Sequence, residues 1–528
     1  MPAVADASRP GAPADYRLWQ RRRCVTLQAV RLSTLSPDRA SAQRVRLSEP
    51  SGKWLVTAAV LGSSLAMVDA TVVNIALPAL GSDLQAGFAG LQWTITGYTL
   101  TLASFILLGG SLGDRYGRRR VFVLGTVWFA VASALCALAP SIEVLVASRA
   151  LQGVGGALLT PGSLAIIDAS FVPEDRGKAI GTWSGFGGIA SAIGPFVGGY
   201  LVAGPGWRWV FLINLPLAAI VVAIAQRHVP ESQDPEAPRQ LDLPGAVLGA
   251  VGLGGVTYAL IAAGGGWSAN SLVAGVLGLA ALVGFVINEY RSAHAMLPPR
   301  IFASRQFTAA NVVTFVVYAA LSGVFFFLVV YLQVVAGFSP LLAGSAMLPV
   351  TLVMLALSAR AGALADRIGP RLPMSVGPFV AACGLLLMLR VGPNASYVID
   401  LLPAVTIFGL GLALIVAPLT TTVLAAVESR HAGLASGVNN AVARAAGLLA
   451  VAVLPLVAGI SGDDYQHPEA FAPGFRTAIV VCAALLALGG VVAAGTIRNP
   501  SRVRKPAGLV GRHYCAIDAP PMHTVSAE

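Results

Sequence analysis

The sequence predicts an all-α membrane protein with fourteen transmembrane helices, and three observations carry that prediction. The chain of 528 residues is 56% hydrophobic and 11% charged, with a mean hydropathy of +0.75, far too apolar for a soluble protein of its length. It divides into fourteen apolar stretches near the ~20 residues that cross a bilayer: 54–80, 92–113, 121–139, 142–167, 178–203, 209–226, 243–263, 271–288, 307–332, 341–362, 372–390, 399–422, 433–460 and 476–496. The stretches are continuously apolar, whereas strands of a membrane barrel would alternate over about 10 residues.

Lys and Arg set the expected orientation. Of 35 such residues, Arg208, Arg390 and Arg476 fall in loops on one side, Arg149 and Arg444 fall inside helices, and the other 30 collect on the side of the termini. Both termini are therefore expected in the cytoplasm, with the protein multi-pass in the inner membrane. The net charge of +11 is a topology signal, so it implies no nucleic-acid partner. Residues 1–53 carry ten basic residues and no long apolar core, which argues against a cleaved signal peptide. A disordered basic tail near anionic lipid, a start codon placed too early and a surface helix all remain open for this stretch. Cys24, Cys136, Cys383, Cys482 and Cys515 are scattered without ligand spacing, and the histidines, His294 and His431 among them, show none either, so no metal is expected.

An internal repeat divides the chain. "GSLGDRYGRR" at 110–119 follows the second stretch and "GALADRIGPR" at 362–371 follows the tenth, sharing G-x-L-small-D-R-x-G-x-R. A weaker echo links "GKAIG" at 177–181 with "GLASG" at 433–437. Both are displaced by eight helices, which implies two six-helix bundles at 54–226 and 307–496. A linker at 227–306 carries two inserted helices, and 1–53 and 497–528 form cytoplasmic tails. Repeated bundles meeting at a midplane site are the architecture of a secondary transporter.

Asp69 lies inside the first stretch, where an ionised carboxylate costs about 2.5–3.5 kcal/mol at the bilayer centre. It precedes Pro78 by nine residues, and Arg149 follows Pro140 by nine. At 1.5 Å per residue both sit about 14 Å from the same membrane face, so they can neutralise one another. A movable Arg149 would switch Asp69 between holding and releasing a proton; the alternative is a static ion pair that only fixes packing. Arg444 has no acid near it in sequence and must find a partner or face water.

In the first repeat, Gly113 and Gly117 permit a tight connection, while Asp114 can pair with Arg118 or cap the facing helix. Gly187, Ser191, Gly194 and Gly198 form a small-residue stripe beside Pro195, suited to close and sliding helix contact. Tyr98, Phe315, Tyr318 and Phe326 are candidate cavity residues within an aromatic-rich set that includes Phe325, Phe327 and Tyr331. Metalloprotease, phosphate-loop and nucleophile-elbow motifs are absent, so neither enzymatic hydrolysis nor ATP-driven transport is expected.

Taken in order, "VDATVVNIALP" at 68–78, the "GDRYGRRR" loop, "RALQGVGGA" at 149–157, "GPFVGG" at 194–199, "WRWVFLINLP" at 207–216 and "YLQVVAGFSPLLAG" at 331–344 resemble the major facilitator superfamily. Within it they resemble the fourteen-helix drug:proton antiporters, over roughly 54–497. The resemblance implies the major-facilitator fold and proton-driven export of hydrophobic small molecules such as drugs, dyes and antiseptics. The protein would work as a monomer in the lipid bilayer, with protons as coupling partner and no cofactor. Asp69 and Arg149 fall on the family's first-helix acid and fourth-helix arginine. Asp114, Arg115 and Arg118, echoed by Asp366 and Arg367, fall on its cytoplasmic latch, and the Gly187–Gly198 stripe falls on its antiporter segment. The tenth stretch lacks the second acid of dication exporters, which points to lipophilic monocations or neutral amphiphiles. A dedicated exporter of one endogenous metabolite or lipid is the alternative; a non-transporting scaffold or sensor would have no physical need for these motifs.

Overall fold

The computed structural model of the chain describes residues 45–234, 241–292, 294–427 and 432–499. Residues 1–44 and 500–528, with Cys24 and Cys515, and also His431, lie outside these. Fourteen helices among the described residues are long and apolar enough to cross a membrane. They are α1 Pro50–Asp83, α2 Phe88–Tyr116, α3 Arg118–Ala137, α4 Ile142–Ser170, α5 Pro173–Ala203, α6 Trp209–His228 and α7 Leu243–Ala263. After these come α8 Ala269–Arg291, α9 Arg305–Val334, α10 Pro340–Ile368, α11 Arg371–Met388, α12 Tyr397–Ala425, α13 Gly433–Ala458 and α14 Pro468–Thr496.

Several helices outrun their apolar cores. Prolines at the first turn start α1, α5 and α14 at Pro50, Pro173 and Pro468, a position where the missing N–H is no loss. Polar helix ends remain helical in the interfacial layers, which a hydropathy run does not mark. Arg476, expected in a loop, is accordingly an exposed residue of α14. The junction at 53/54 also moves: Val45 donates its N–H to Ser170 O and accepts from Val172, and Leu47 N–H bonds Asp175. This end of the expected tail is docked on the α4–α5 turn.

The helix pairings repeat at a shift of eight. Helix α2 packs on α4, α3 on α4 and α6, and α1 on α5 and α6; α10 packs on α12, α11 on α12 and α14, and α9 on α13 and α14. The halves meet where α2 crosses α13 and α5 crosses α10, the two contacts that this repeat makes equivalent. The turns within the repeated motifs agree as well. Gly117 (φ 113°) and Gly369 (φ 91°) occupy the left-handed side of backbone space, open to glycine at little strain.

On the membrane face opposite these turns the halves are tied together. Tyr465 donates its hydroxyl to Ala86 O at 2.7 Å and Phe88 N–H bonds Gly462 O at 2.7 Å. Gln92 bonds Val451 O and Gln333 bonds Ile75 O. Phe88, Phe326, Phe327, Tyr465 and Phe471 stack around these bonds. Toward the basic face, Gly177, Gly181 and Gly185 of α5 have no neighbour within 4 Å of where a side chain would begin. Removing the Tyr465 hydroxyl as Tyr465→Phe deletes one hydrogen bond, about 1 kcal/mol, from this seal. Labelling of a cysteine placed in the pathway from the opposite face is expected to rise roughly fivefold; unchanged labelling would mean the bond does not hold the halves.

Helices α7 and α8 pack on each other, and α7 also leans on α2 and α13. Asp242 caps α7 by accepting from Gly245 N at 2.9 Å and also accepts from Asn288 of α8 and from Met296 N. Burial works to raise its pKa, but these donors outweigh it and hold the carboxyl below the usual carboxylate range. Beside it Glu289 accepts from Leu297 N at 2.8 Å. Asp242→Ala is expected to lower stability by about 0.5–2 kcal/mol, the worth of an N-cap, read as a lower unfolding temperature in detergent with transport retained.

Candidate functional site

The site begins in α1. Asp69 is fully buried, and its carboxylate receives Arg149 Nη1 of α4 at 2.5 Å. Their equal distances from Pro78 and Pro140 thus bring Asp69 and Arg149 into contact. The same carboxylate accepts Gln152 Nε2 at 2.8 Å and Asn214 Nδ2 at 3.0 Å. Arg149 is 1% exposed; it donates to Thr94 O at 3.1 Å and to Gln152 Oε1. Its guanidinium lies 4.3 Å from the Tyr98 ring centre and 5.8 Å from that of Phe211. Ser133 of α3 completes the cluster through Gln152 and Asn214.

Five helices therefore converge on one ion pair, and sequence reasoning supplied only Asp69, Arg149 and Tyr98 of it. Gln152 sits one helical turn beyond Arg149, and Asn214 opens the second piece of α6 after the interruption at Ile213. Their signal was a primary amide inside an apolar helix, where it must find a partner. Glycines bring the backbones close enough for this: Gly153 of α4 faces Tyr98 and Thr101 of α2, and Gly155 faces Phe129 of α3.

The small-residue stripe of α5 lies against the same turn of α1. Gly187 faces Met67, Gly194 faces Thr71 and Val68, and Gly198 faces Val72. Ser191 is half-buried. Across α5, Pro195 and Gly199 meet Gly344, Pro340 and Leu341 of α10. One helix thus touches both the turn that carries Asp69 and the other half of the protein.

At the basic face Asp114 pairs with Arg118 at 2.8 Å, the first of its two expected arrangements. A strap that the sequence did not reveal holds this loop. Arg119 N–H bonds Glu231, Arg118 N–H bonds Ser232 O, and Asp234 N–H bonds Asp114 O. In the second half Arg371 N–H bonds Asn499, so the segment following each half's last helix caps its third. Among the described residues, the hydrogen bonds and ion pairs of Asp114 and Arg118 lie within α2, α3 and this strap. Arg115 stacks on Tyr116, Arg367 ends α10, and Asp366 lines a cavity of about 910 Å³ with Arg305, Thr421 and Arg498.

The candidate cavity residues separate. Phe326 is fully buried in the aromatic seal, which corrects its assignment: the run of rings in α9 fills every face of the helix, so sequence could not tell seal from pathway. Phe315 is exposed, and Tyr318 is half-buried within electrostatic reach of Arg444. Among the described residues no group of three metal-ligating side chains comes together.

A two-half helical membrane protein with a paired charge at mid-depth and a seal on one face is a transporter, not an enzyme. The chain belongs to the Major Facilitator Superfamily, whose family model matches residues 59–451. It is 35% identical to a puromycin resistance protein of Streptomyces alboniger, over 84% of this chain and 91% of that one. It is also 35% identical to the multidrug resistance protein Stp of Mycobacterium tuberculosis, over 78% and 77%. The fold resembles a crystal structure of the peptide transporter POT in complex with sulfate (TM-score 0.63, 16% identity, 86% and 98% covered). The chain is a multi-pass cell-membrane protein of the drug-efflux branch of this superfamily, which exports small molecules.

Proposed function

We propose that the protein is a proton-coupled antiporter that moves hydrophobic small molecules out across the inner membrane by alternating access. The observation that carries this reading is the buried Asp69–Arg149 pair, on whose turn of α1 the sealing helix α5 packs. A proton and the Arg149 guanidinium compete for one carboxylate. Protonation of Asp69 leaves Arg149 held by Thr94 O, Gln152 and the Tyr98 ring alone, and the turn of α1 so released lies under the α5 stripe. With both termini in the cytoplasm, the open glycines of α5 face inward, and each entering proton supplies about 2.3 kcal/mol per 100 mV. The Asp114–Arg118 loop acts when the cytoplasmic side closes, and no cofactor or second chain is needed.

Relatives named for one compound and for many drugs support two substrate ranges: a polyspecific exporter of drugs, dyes and antiseptics, or a dedicated exporter of one endogenous compound. Everted vesicles carrying the full chain should accumulate dye when a pH gradient is imposed and lose it on adding a protonophore. Accumulation that ignores the protonophore would sink the proton-coupled reading.

A further inference from the structure

The Asp69–Arg149 pair is internally neutral, which leaves the third mid-helix charge, Arg444 of α13, to be explained. Among the described residues it has neither salt bridge nor hydrogen bond, and it is half-buried. Its place follows from its neighbours. Gly437 faces Leu107 of α2, and Val451 O accepts from Gln92 of α2. Residues 437, 444 and 451 share one helical face, since seven residues span nearly two turns. Arg444 therefore lies on the α2-facing side of α13, opposite the stretch around Tyr98 and Thr99. On the adjoining side Asn439 bonds Asn311 and Thr314 of α9, and Gly447 meets Ser322, which brings Tyr318 to the level of Arg444. The guanidinium acts electrostatically on both phenols, Tyr98 and Tyr318, and the Asp69 carboxylate acts on Tyr98 as well. The Tyr98 hydroxyl is buried and has no hydrogen-bond partner among the described residues.

We propose that Arg444, Tyr98 and Tyr318 form a substrate subsite at the seam of the two halves that selects hydrophobic molecules carrying a negative charge, such as a carboxylate or phenolate. The three side chains present a five-donor guanidinium and two O–H donors, and among the described residues no carboxylate forms a salt bridge with Arg444. In a low-dielectric seam an uncompensated guanidinium attracts an anion and repels a lipophilic cation. This reverses the preference for monocations drawn from the lack of an acid in α10: the deciding feature is a surplus cation in α13. Tyr98 belongs to both sites, with one ring face under Arg149 and its position at the depth of Arg444 across the α2–α13 seam, so an anion bound at Arg444 sits close to the groups that handle the proton. Outward movement of an anion and inward movement of a proton both follow an inside-negative potential.

This inference rests on the export reading for direction but not on Asp69 as proton site. Binding to the purified full chain in detergent is measured by fluorescence anisotropy with two dyes that share a xanthene ring system, anionic fluorescein and cationic rhodamine 123. Fluorescein is expected to bind at least about tenfold more tightly, the span of a lost charge-assisted contact. Arg444→Gln should erase that preference and Arg444→Lys should keep most of it. Equal affinities, no fluorescein binding, or an unchanged preference in Arg444→Gln overturns the subsite. Vesicle transport by Asp69→Asn separates the two readings. If pH-driven uptake survives in Asp69→Asn while Arg444→Gln loses its fluorescein preference, only the coupling site falls; the converse pattern removes only the subsite.

Discussion

Asp69→Asn is expected to abolish pH-gradient-driven accumulation while leaving downhill movement of substrate in place. Asparagine is close to isosteric and can still accept from Gln152 and Asn214, but it can neither carry the exchanged proton nor balance Arg149. The structure adds a cost invisible in the sequence, because Arg149 is itself buried and would lose its counter-charge. Removing one partner of a buried pair typically destabilises by about 3–5 kcal/mol. Thr94 O, Gln152 Oε1 and the Tyr98 and Phe211 rings soften this. The double variant Asp69→Asn/Arg149→Gln should therefore unfold at a higher temperature than Asp69→Asn alone, yet remain uncoupled. Wild-type accumulation by folded Asp69→Asn protein would show that the proton binds elsewhere, and a double variant less stable than the single would refute the uncompensated-charge account.

Gly199→Val is expected to have the next largest effect. A Cβ at Gly199 would stand 2.6 Å from Pro340 O and 2.7 Å from Leu341 Cα, and backbone atoms cannot rotate aside as a side-chain tip can. Overpacking of this kind costs about 1–3 kcal/mol. Because the contact exists only while α5 and α10 are closed on the face opposite the basic loops, the penalty falls on that state alone. The population should shift roughly 5- to 150-fold toward opening there. Cysteine labelling from that face should rise and transport should slow, with the protein still inserted. If transport slows without any rise in labelling, the substitution has damaged the half itself rather than its closure.

Fourteen spans, the eight-helix repeat and the Asp69–Arg149 pair were all legible because each rests on a strong local signal. A charge in an apolar run is costly, and a constant helical rise converts position into depth. Gln152 and Asn214 escaped notice because an amide carries no charge and its cost depends on partners that only the fold supplies. The straps at Glu231 and Asn499 were hidden for another reason. Their hydrogen bonds to Arg119 and Arg371 span more than a hundred residues and involve backbone donors, which leave no trace in side-chain pattern. Phe326 shows the limit of an aromatic run: periodicity cannot decide which rings seal and which line a pathway once every helix face is apolar.

The clasp around Asp242 bears on how fourteen helices relate to twelve. Its carboxylate joins the start of α7 to Asn288 near the end of α8 and to Met296 beyond it, so the chain leaves and rejoins the main body at almost one point. A hairpin closed at its own base behaves as a cassette. It can be gained, lost or exchanged by a local splice, because the contacts that close its base are its own. The core halves need not re-register to accommodate it, and lipid can cover the faces of α2 and α13 where α7 now leans.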